Sequence, residues 1–133
     1  MSDFNSQIIT QYRENNGDLG ENFPFPVLLL HTVGKRSGEP RIHPVAYLPD
    51  SDRYVVFGSA GGGEKSPAWY HNLIAAPTAE VELPGETFEV TVAELQGAER
   101  DRVYQIQAEK FPQFGEYEKK TSRTIPAVAL TRV

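Results

Sequence analysis

Cysteine is absent from this 133-residue chain. That rules out a disulfide scaffold, a zinc ribbon and a thiolate nucleophile together. Long apolar runs are missing as well: the longest, Val27 to Leu30, is far shorter than the roughly 20 residues that span a bilayer. No basic-then-apolar leader opens the sequence, so a cytoplasmic protein without an integral membrane segment is expected. Basic residues are outnumbered, 13 to 18, for a net charge of -5. A polyanion such as duplex DNA needs the opposite balance, and nucleic acid is excluded as a partner on that ground. The three histidines, His31, His43 and His71, fall in no ligand pattern, so no metal site is expected.

Hydrophobic residues make up 39% of the chain, enough for one domain of this length to bury a core without staples. Residues 1–20 read as an N-terminal amphipathic helix belonging to that same unit. Its helix runs from Asp3 to Asn16, with Phe4, Ile8 and Tyr12 at helical spacing. In residues 21–133, strands are expected over Pro26–Val33, Arg41–Leu48 and Arg53–Ser59. Pro44 removes a ladder donor from the second of these and marks an edge or bulge. A helix should start at Ser66-Pro67, with the serine hydroxyl as its cap, and run to about Ala76. Two alternating strands follow, with Ala79, Val81, Leu83, Phe88, Val90 and Val92 inward and Glu80, Glu82, Glu89 and Thr91 toward water. A third helix over Glu99–Phe111 and a sixth strand over Ile125–Arg132 complete the order. Six strands with so few helices between them make an α+β, mainly antiparallel barrel with peripheral helices.

Charge is uneven along the chain. Lys35, Arg36 and Arg41 face a single Glu39 in the turn Gly34-Lys35-Arg36-Ser37-Gly38-Glu39-Pro40-Arg41. Two cations, a hydroxyl and mobile glycines are what a phosphate diester requires, although solvated hairpin charges are the ordinary alternative. The stretch Gly58 to Ser66 nearly spells a P-loop but fails, because Glu64 separates Gly63 from Lys65. Its glycines and the helix start behind it favour an anion cradle over a flexible connector. His31 alternates with Leu29 and Val33 and should pack in the core, whereas His43 shares a strand face with Arg41 and should reach a ligand. Trp69 is either ordinary core or a flat ring set against a planar cofactor. Phe111, Phe114 and Tyr117 recur every three residues, either packing a helix on the barrel or walling a substrate pocket.

Three blocks in order carry a family resemblance. Thr32-Val33-Gly34-Lys35-Arg36-Ser37-Gly38-Glu39-Pro40-Arg41, Pro67-Ala68-Trp69-Tyr70-His71-Asn72-Leu73 and Thr121-Ser122-Arg123-Thr124-Ile125-Pro126 resemble blocks of the deazaflavin-dependent nitroreductase family of actinobacteria. The resemblance implies a six-stranded split β-barrel related to flavin-nucleotide-binding oxidases, with residues 21–133 as the deazaflavin-binding domain. It implies coenzyme F420, whose phosphate and oligoglutamate tail would lie on Gly34, Lys35, Arg36, Ser37, Gly38 and Arg41. Ile42, His43, Pro44, Val45 and Ala46 would run beside the ring, as would Ser59 and Ala60, while Gly61, Gly62 and Lys65 belong to the anion cradle read from the loop itself. Ala68, Trp69, Tyr70, His71 and Asn72 would close the other side. A deazaflavin is an obligate hydride carrier, and the implied activity is its oxidation by an activated alkene, a quinone or a nitro compound. As a pocket wall Phe111, Phe114 and Tyr117 would contact this small-molecule substrate, and the proton would come from solvent or from a hydroxyl, with Ser59 and Tyr117 the candidates. Ala46, Ala60 and Phe114 stand where some members carry tyrosine, lysine and a hydroxyl-bearing ring. A non-catalytic F420-binding or storage protein and an FMN-dependent oxidase are the competing readings. FMN has no glutamate tail to match the extended basic turn. A homodimer is the expected assembly.

Overall fold

The computed structural model describes residues 3–20, 23, 25–59 and 62–133, with side chains from residue 6 onward. Six strands, β1 (Val27–Val33), β2 (Pro40–Asp50), β3 (Arg53–Phe57), β4 (Thr78–Leu83), β5 (Glu86–Leu95) and β6 (Ala127–Arg132), close a barrel in the order β1-β2-β3-β6-β5-β4. Every neighbouring pair is antiparallel. Four helices, α1 (Asp3–Glu14), α2 (Ala68–Ile74), α3 (Gly97–Lys110) and α4 (Gln113–Lys120), surround it. Among the described residues no helix is long and apolar enough to cross a membrane. The split-barrel expectation is met, with one helix more than the sequence pattern suggested.

The alternation on β4 and β5 places Val81, Phe88 and Val90 in the barrel interior with Leu28, Leu30, Val45, Val56, Val128 and Leu130. Ala79, Leu83 and Val92 pack against the same cluster. Each such side chain contributes roughly 1.5–3 kcal/mol when fully buried. Trp69 and Leu73 of α2 join this cluster, so α2 stops one end of the barrel. A second cluster lies outside, where Val103, Tyr104 and Phe114 of α3 and α4 cover Leu48, Val55, Phe57 and Ala127. Ile8 and Tyr12 of α1 cover Val27 and Leu29 on another face, and the Tyr12 hydroxyl donates to the Val27 carbonyl at 2.8 Å. The side chain of Phe4 lies outside the described residues.

Pro44 behaves as an edge residue inside a barrel that has no edge. Tyr47 N–H donates to the Pro26 carbonyl, which sets the parity of β2 against β1. By that parity the nitrogen of Pro44 points away from β1, toward the β3 side. Pairing of β2 with β3 runs only from Asp50↔Arg53 to Tyr47↔Val56. The missing donor therefore falls where no ladder bond is made.

Three expectations change. His31 is not core: its Nε2 lies 3.0 Å from Glu82 and its Nδ1 3.7 Å from Glu80. Strand alternation turns its side chain outward, while Leu30 and Thr32 point in. Glu82 is not freely solvated, because Arg13 of α1 forms a two-bond fork with it at 2.8 Å, holding its carboxyl below the usual carboxylate range. Ser66 does not cap α2: Pro67 occupies the cap position with no side-chain bond, and the Ser66 hydroxyl accepts from Arg123 instead.

Candidate functional site

Two cavities adjoin along β2. The first is a groove of about 600 Å³ lined by Gly34, Lys35, Arg36, Ser37, Arg41, Ala68, His71 and Asn72. Its floor is the basic turn, closed by Gly34 N–H to the Glu39 carbonyl at 2.7 Å and Gly38 N–H to the Gly34 carbonyl at 2.9 Å. A Cβ on residue 34 would stand 2.5 Å from the Ser37 hydroxyl, so only glycine lets that hydroxyl sit against the backbone. The Ser37 oxygen accepts from Glu39 N–H and from Arg41 Nη2, at 3.2 and 3.4 Å, which leaves its own proton free to donate. Asn72 Oδ1 accepts from Lys35 N–H at 2.9 Å and ties the turn to α2. Arg41 also reaches Glu39 at 3.2 Å, an exposed pair worth at most about 1 kcal/mol and easily exchanged for a ligand. Ion pairs on this turn are confined to that one among the described residues.

The second cavity is smaller, about 180 Å³, and its lining side chains are mostly aromatic or aliphatic: Phe23, Phe25, Val27, Pro44, Val45, Ala46, Phe57, Ser59, Trp69, Phe114 and Tyr117. It opens beside the stretch of β2, ending at Ala46, that has no β3 partner. Edge-to-face contacts fix its aromatic wall, with Phe25 5.6 Å from Phe114, Phe57 5.9 Å from Phe114 and Phe114 5.2 Å from Tyr117 between ring centroids. Gln113 Nε2 donates to the Tyr117 hydroxyl oxygen at 2.8 Å, so the phenolic proton is the one left for another acceptor. Cofactor sites ordinarily measure about 300–1,000 Å³, so this pocket suits the reacting end of a ligand and the groove its remainder.

On the paired strands β1 and β2 two polar atoms are buried without a partner among the described residues, Thr32 Oγ1 and His43 Nδ1. Burial, and after it the charge of Arg41, holds the His43 pKa below its ordinary value.

The sequence-derived site residues divide accordingly. Gly34, Lys35, Arg36, Ser37, Arg41, Ala68, His71 and Asn72 meet in the groove, and Pro44, Val45, Ala46, Ser59, Trp69, Phe114 and Tyr117 in the pocket. Gly38, Ile42, His43, Gly62, Lys65, Tyr70 and Phe111 line neither. Ile42 packs under α1, Phe111 packs against Phe25 on the outer cluster, and the Tyr70 hydroxyl donates to Glu94 at 2.6 Å. Burial and then Glu94 push the Tyr70 phenol up to about 12. Ala60 and Gly61 lie outside the described residues. Phe23, Phe25, Val27 and Phe57 are pocket residues that motif reasoning passed over; aromatics just ahead of a buried strand were the available signal. Among the described residues no cluster of three or more potential ligands could hold a metal ion.

Of the expected anion cradle, the described Gly62 and Lys65 line neither cavity. A Cβ on Gly62 would lie 3.0 Å from the Tyr117 carbonyl oxygen and 3.1 Å from the Lys120 side chain, at φ +86°. Gly62 is pressed against α4 rather than turned toward the groove. With only seven residues, α2 also offers a weak dipole behind it.

A groove with three cations and a pocket walled by aromatic rings thus lie on one closed six-stranded barrel. A family model described as F420H(2)-dependent quinone reductase matches residues 6–132. The chain belongs to that family and is with it an oxidoreductase dependent on the reduced deazaflavin F420. It is 40% identical over 126 residues to an F420H(2)-dependent quinone reductase of Mycobacterium tuberculosis (strain ATCC 25618 / H37Rv), covering 91% of this chain and 85% of the relative. A solved F420-H2 dependent reductase, FDR-A, superposes with a TM-score of 0.71 at 34% identity, over 79% of this chain and 93% of that one. A structure described as a domain-swapped dimer gives 0.73 at 30% identity, over 94% of each chain.

Proposed function

We propose that this chain transfers a hydride from reduced F420 to a quinone, with the anionic end of the cofactor in the groove and the reacting ring and acceptor in the pocket. The carrying observation is that one strand serves both cavities. Arg41 in the groove and Ala46 in the pocket are five residues apart on β2, roughly 16 Å at the rise of an extended strand. That span suits a ligand with phosphate at one end and a flat ring at the other. When bound, the reduced deazaflavin supplies the hydride. Lys35, Arg36, Arg41 and the Ser37 hydroxyl hold its phosphate and acidic tail by charge-assisted hydrogen bonds. Trp69, Val45 and Phe114 exclude water from the pocket, which keeps the hydride from being lost to solvent. Tyr117, with its oxygen held by Gln113, donates a proton toward an acceptor oxygen, and Ser59 stands on the same wall as a second donor. The proposal includes a cytoplasmic, homodimeric protein, the dimer having support in the neighbour described as domain-swapped.

Mixing the protein with reduced F420 and a soluble quinone tests this reading. Reoxidation of the deazaflavin at a rate proportional to enzyme is the expected result. Tight binding without reoxidation would favour a storage protein and overturn the catalytic reading. An Ala46→Phe variant, which fills the pocket, should lower kcat at least about tenfold, since even small misplacement of reacting atoms is costly.

A further inference from the structure

Arg123 sits in neither cavity, yet it grips the segment that joins them. Its Nε donates to the Gly63 carbonyl at 2.9 Å and its Nη1 to the Ser66 hydroxyl at 3.1 Å. Its Nη2 donates to the carbonyls of Gly58 at 3.1 Å and Ser59 at 3.0 Å. Four of the five guanidinium N–H directions are thus used on one loop, none of them on a carboxylate. That loop runs from the end of β3 to the start of α2. Ser59 at one end is a wall of the pocket, and α2 at the other carries Trp69 into the pocket and Ala68, His71 and Asn72 into the groove.

The loop is fastened from the same side at two further points. Thr121 Oγ1 donates to Glu64 at 3.3 Å and accepts from Arg123 N–H at 3.3 Å. Gly58 N–H donates to the Pro126 carbonyl at 3.0 Å. The segment 121–126 therefore acts as a back-plate for Gly58, Ser59, Gly63, Glu64 and Ser66.

We infer that Arg123 is a positioning residue for hydride transfer: it sets the Ser59 wall and the start of α2 relative to each other, and so registers the pocket against the groove. The inference rests on the proposed use of the two cavities. A planar fork is required, because the acceptors lie in several directions around the guanidinium; an ammonium at the end of a lysine chain presents its donors from one point. The reaction is unchanged in atoms and electrons, since Arg123 neither gives nor takes a proton.

Arg123→Lys and Arg123→Ala test this without cofactor as well as with it. Trp69 is the single tryptophan, follows the loop directly and lines the pocket, so its emission reports the register in the free protein. Both variants should show red-shifted, more readily quenched Trp69 emission and faster amide hydrogen exchange across 58–66. Sub-denaturing free guanidinium should restore both signals in Arg123→Ala. With reduced F420 and quinone, kcat should fall about 10- to 100-fold while cofactor Kd stays within about threefold, the loss expected of misplaced reactants. Unchanged Trp69 emission and loop exchange in the free variants would overturn the inference, whatever the enzyme's substrate. So would a lowered melting temperature with parent kcat per folded molecule. Failure of the parent protein to reoxidise the cofactor would instead overturn the proposed function, and is read separately.

Discussion

Two glycine-rich loops of this chain carry a similar composition and end in different roles. The turn 34–41 opens onto the groove, with its cations and the Ser37 hydroxyl facing outward. In the loop 58–66 the carbonyls of Gly58, Ser59 and Gly63 lie on Arg123, Glu64 on Thr121 and Gly62 against α4. The contrast teaches that glycine and charge leave a surface open to an anion only where the polar groups are not already spent within the protein.

The largest test of this contrast removes charge from each loop. A Lys35→Ala/Arg36→Ala double variant should weaken F420 binding by about 100-fold or more at low salt, each charge-assisted bond contributing roughly 1.5–3 kcal/mol. Lys65→Ala should leave affinity within about twofold. A fluorescence titration of both decides it, and equal losses would erase the distinction between the loops. Next, Gly62→Val forces a β-branched residue to positive φ and into the Tyr117 carbonyl. It should destabilise the fold by at least about 2 kcal/mol, seen as a lower melting temperature, while the folded fraction binds cofactor normally. A stable variant with weakened binding would return this loop to the site.

Smaller effects sharpen the comparison. Thr121→Val removes the bond to Glu64 and should cost about 1 kcal/mol in a denaturant titration, with cofactor affinity unchanged. His43, beside the basic turn, has its folded pKa held below the ordinary 6.5. The unfolded chain takes up a proton that the native state resists, so stability is full above about pH 6.5 and declines as pH falls from there to the depressed value. In His43→Gln that part of the acid loss should disappear from melts recorded across pH 5 to 8.

The barrel was legible because its signals are local. Val81, Val90 and their alternating neighbours show period two, and Pro44 announced a missing ladder bond where β3 does not reach. α4 was legible only as one of two readings of the Phe111, Phe114 and Tyr117 spacing: Pro112 ahead of it and Gly115 within it weaken the pattern, and it is held by tertiary burial of Phe114 rather than by propensity. The groove could be read as a charged turn within eight residues. The Arg123 clamp could not, since its partners are 57 to 65 positions away. The same distance explains Ser66, whose hydroxyl suited a helix cap until an arginine from the far end of the sequence claimed it. Phe25 entered the pocket unannounced because its partners, Phe111 and Phe114, come from the other end of the chain.

The strand order also bears on when this protein can first work during its synthesis. β6 lies between β3 and β5, pairing with both. A ribosome-bound chain whose residues 127–132 are still in the exit tunnel holds those two strands without their middle neighbour. It also lacks a settled Arg123 to shape the pocket wall. The groove's basic turn, complete by residue 41, emerges long before anything exists behind it to receive a ring. A chain stopped anywhere ahead of residue 127 would therefore display the cations of the turn 34–41 with no closed barrel behind them.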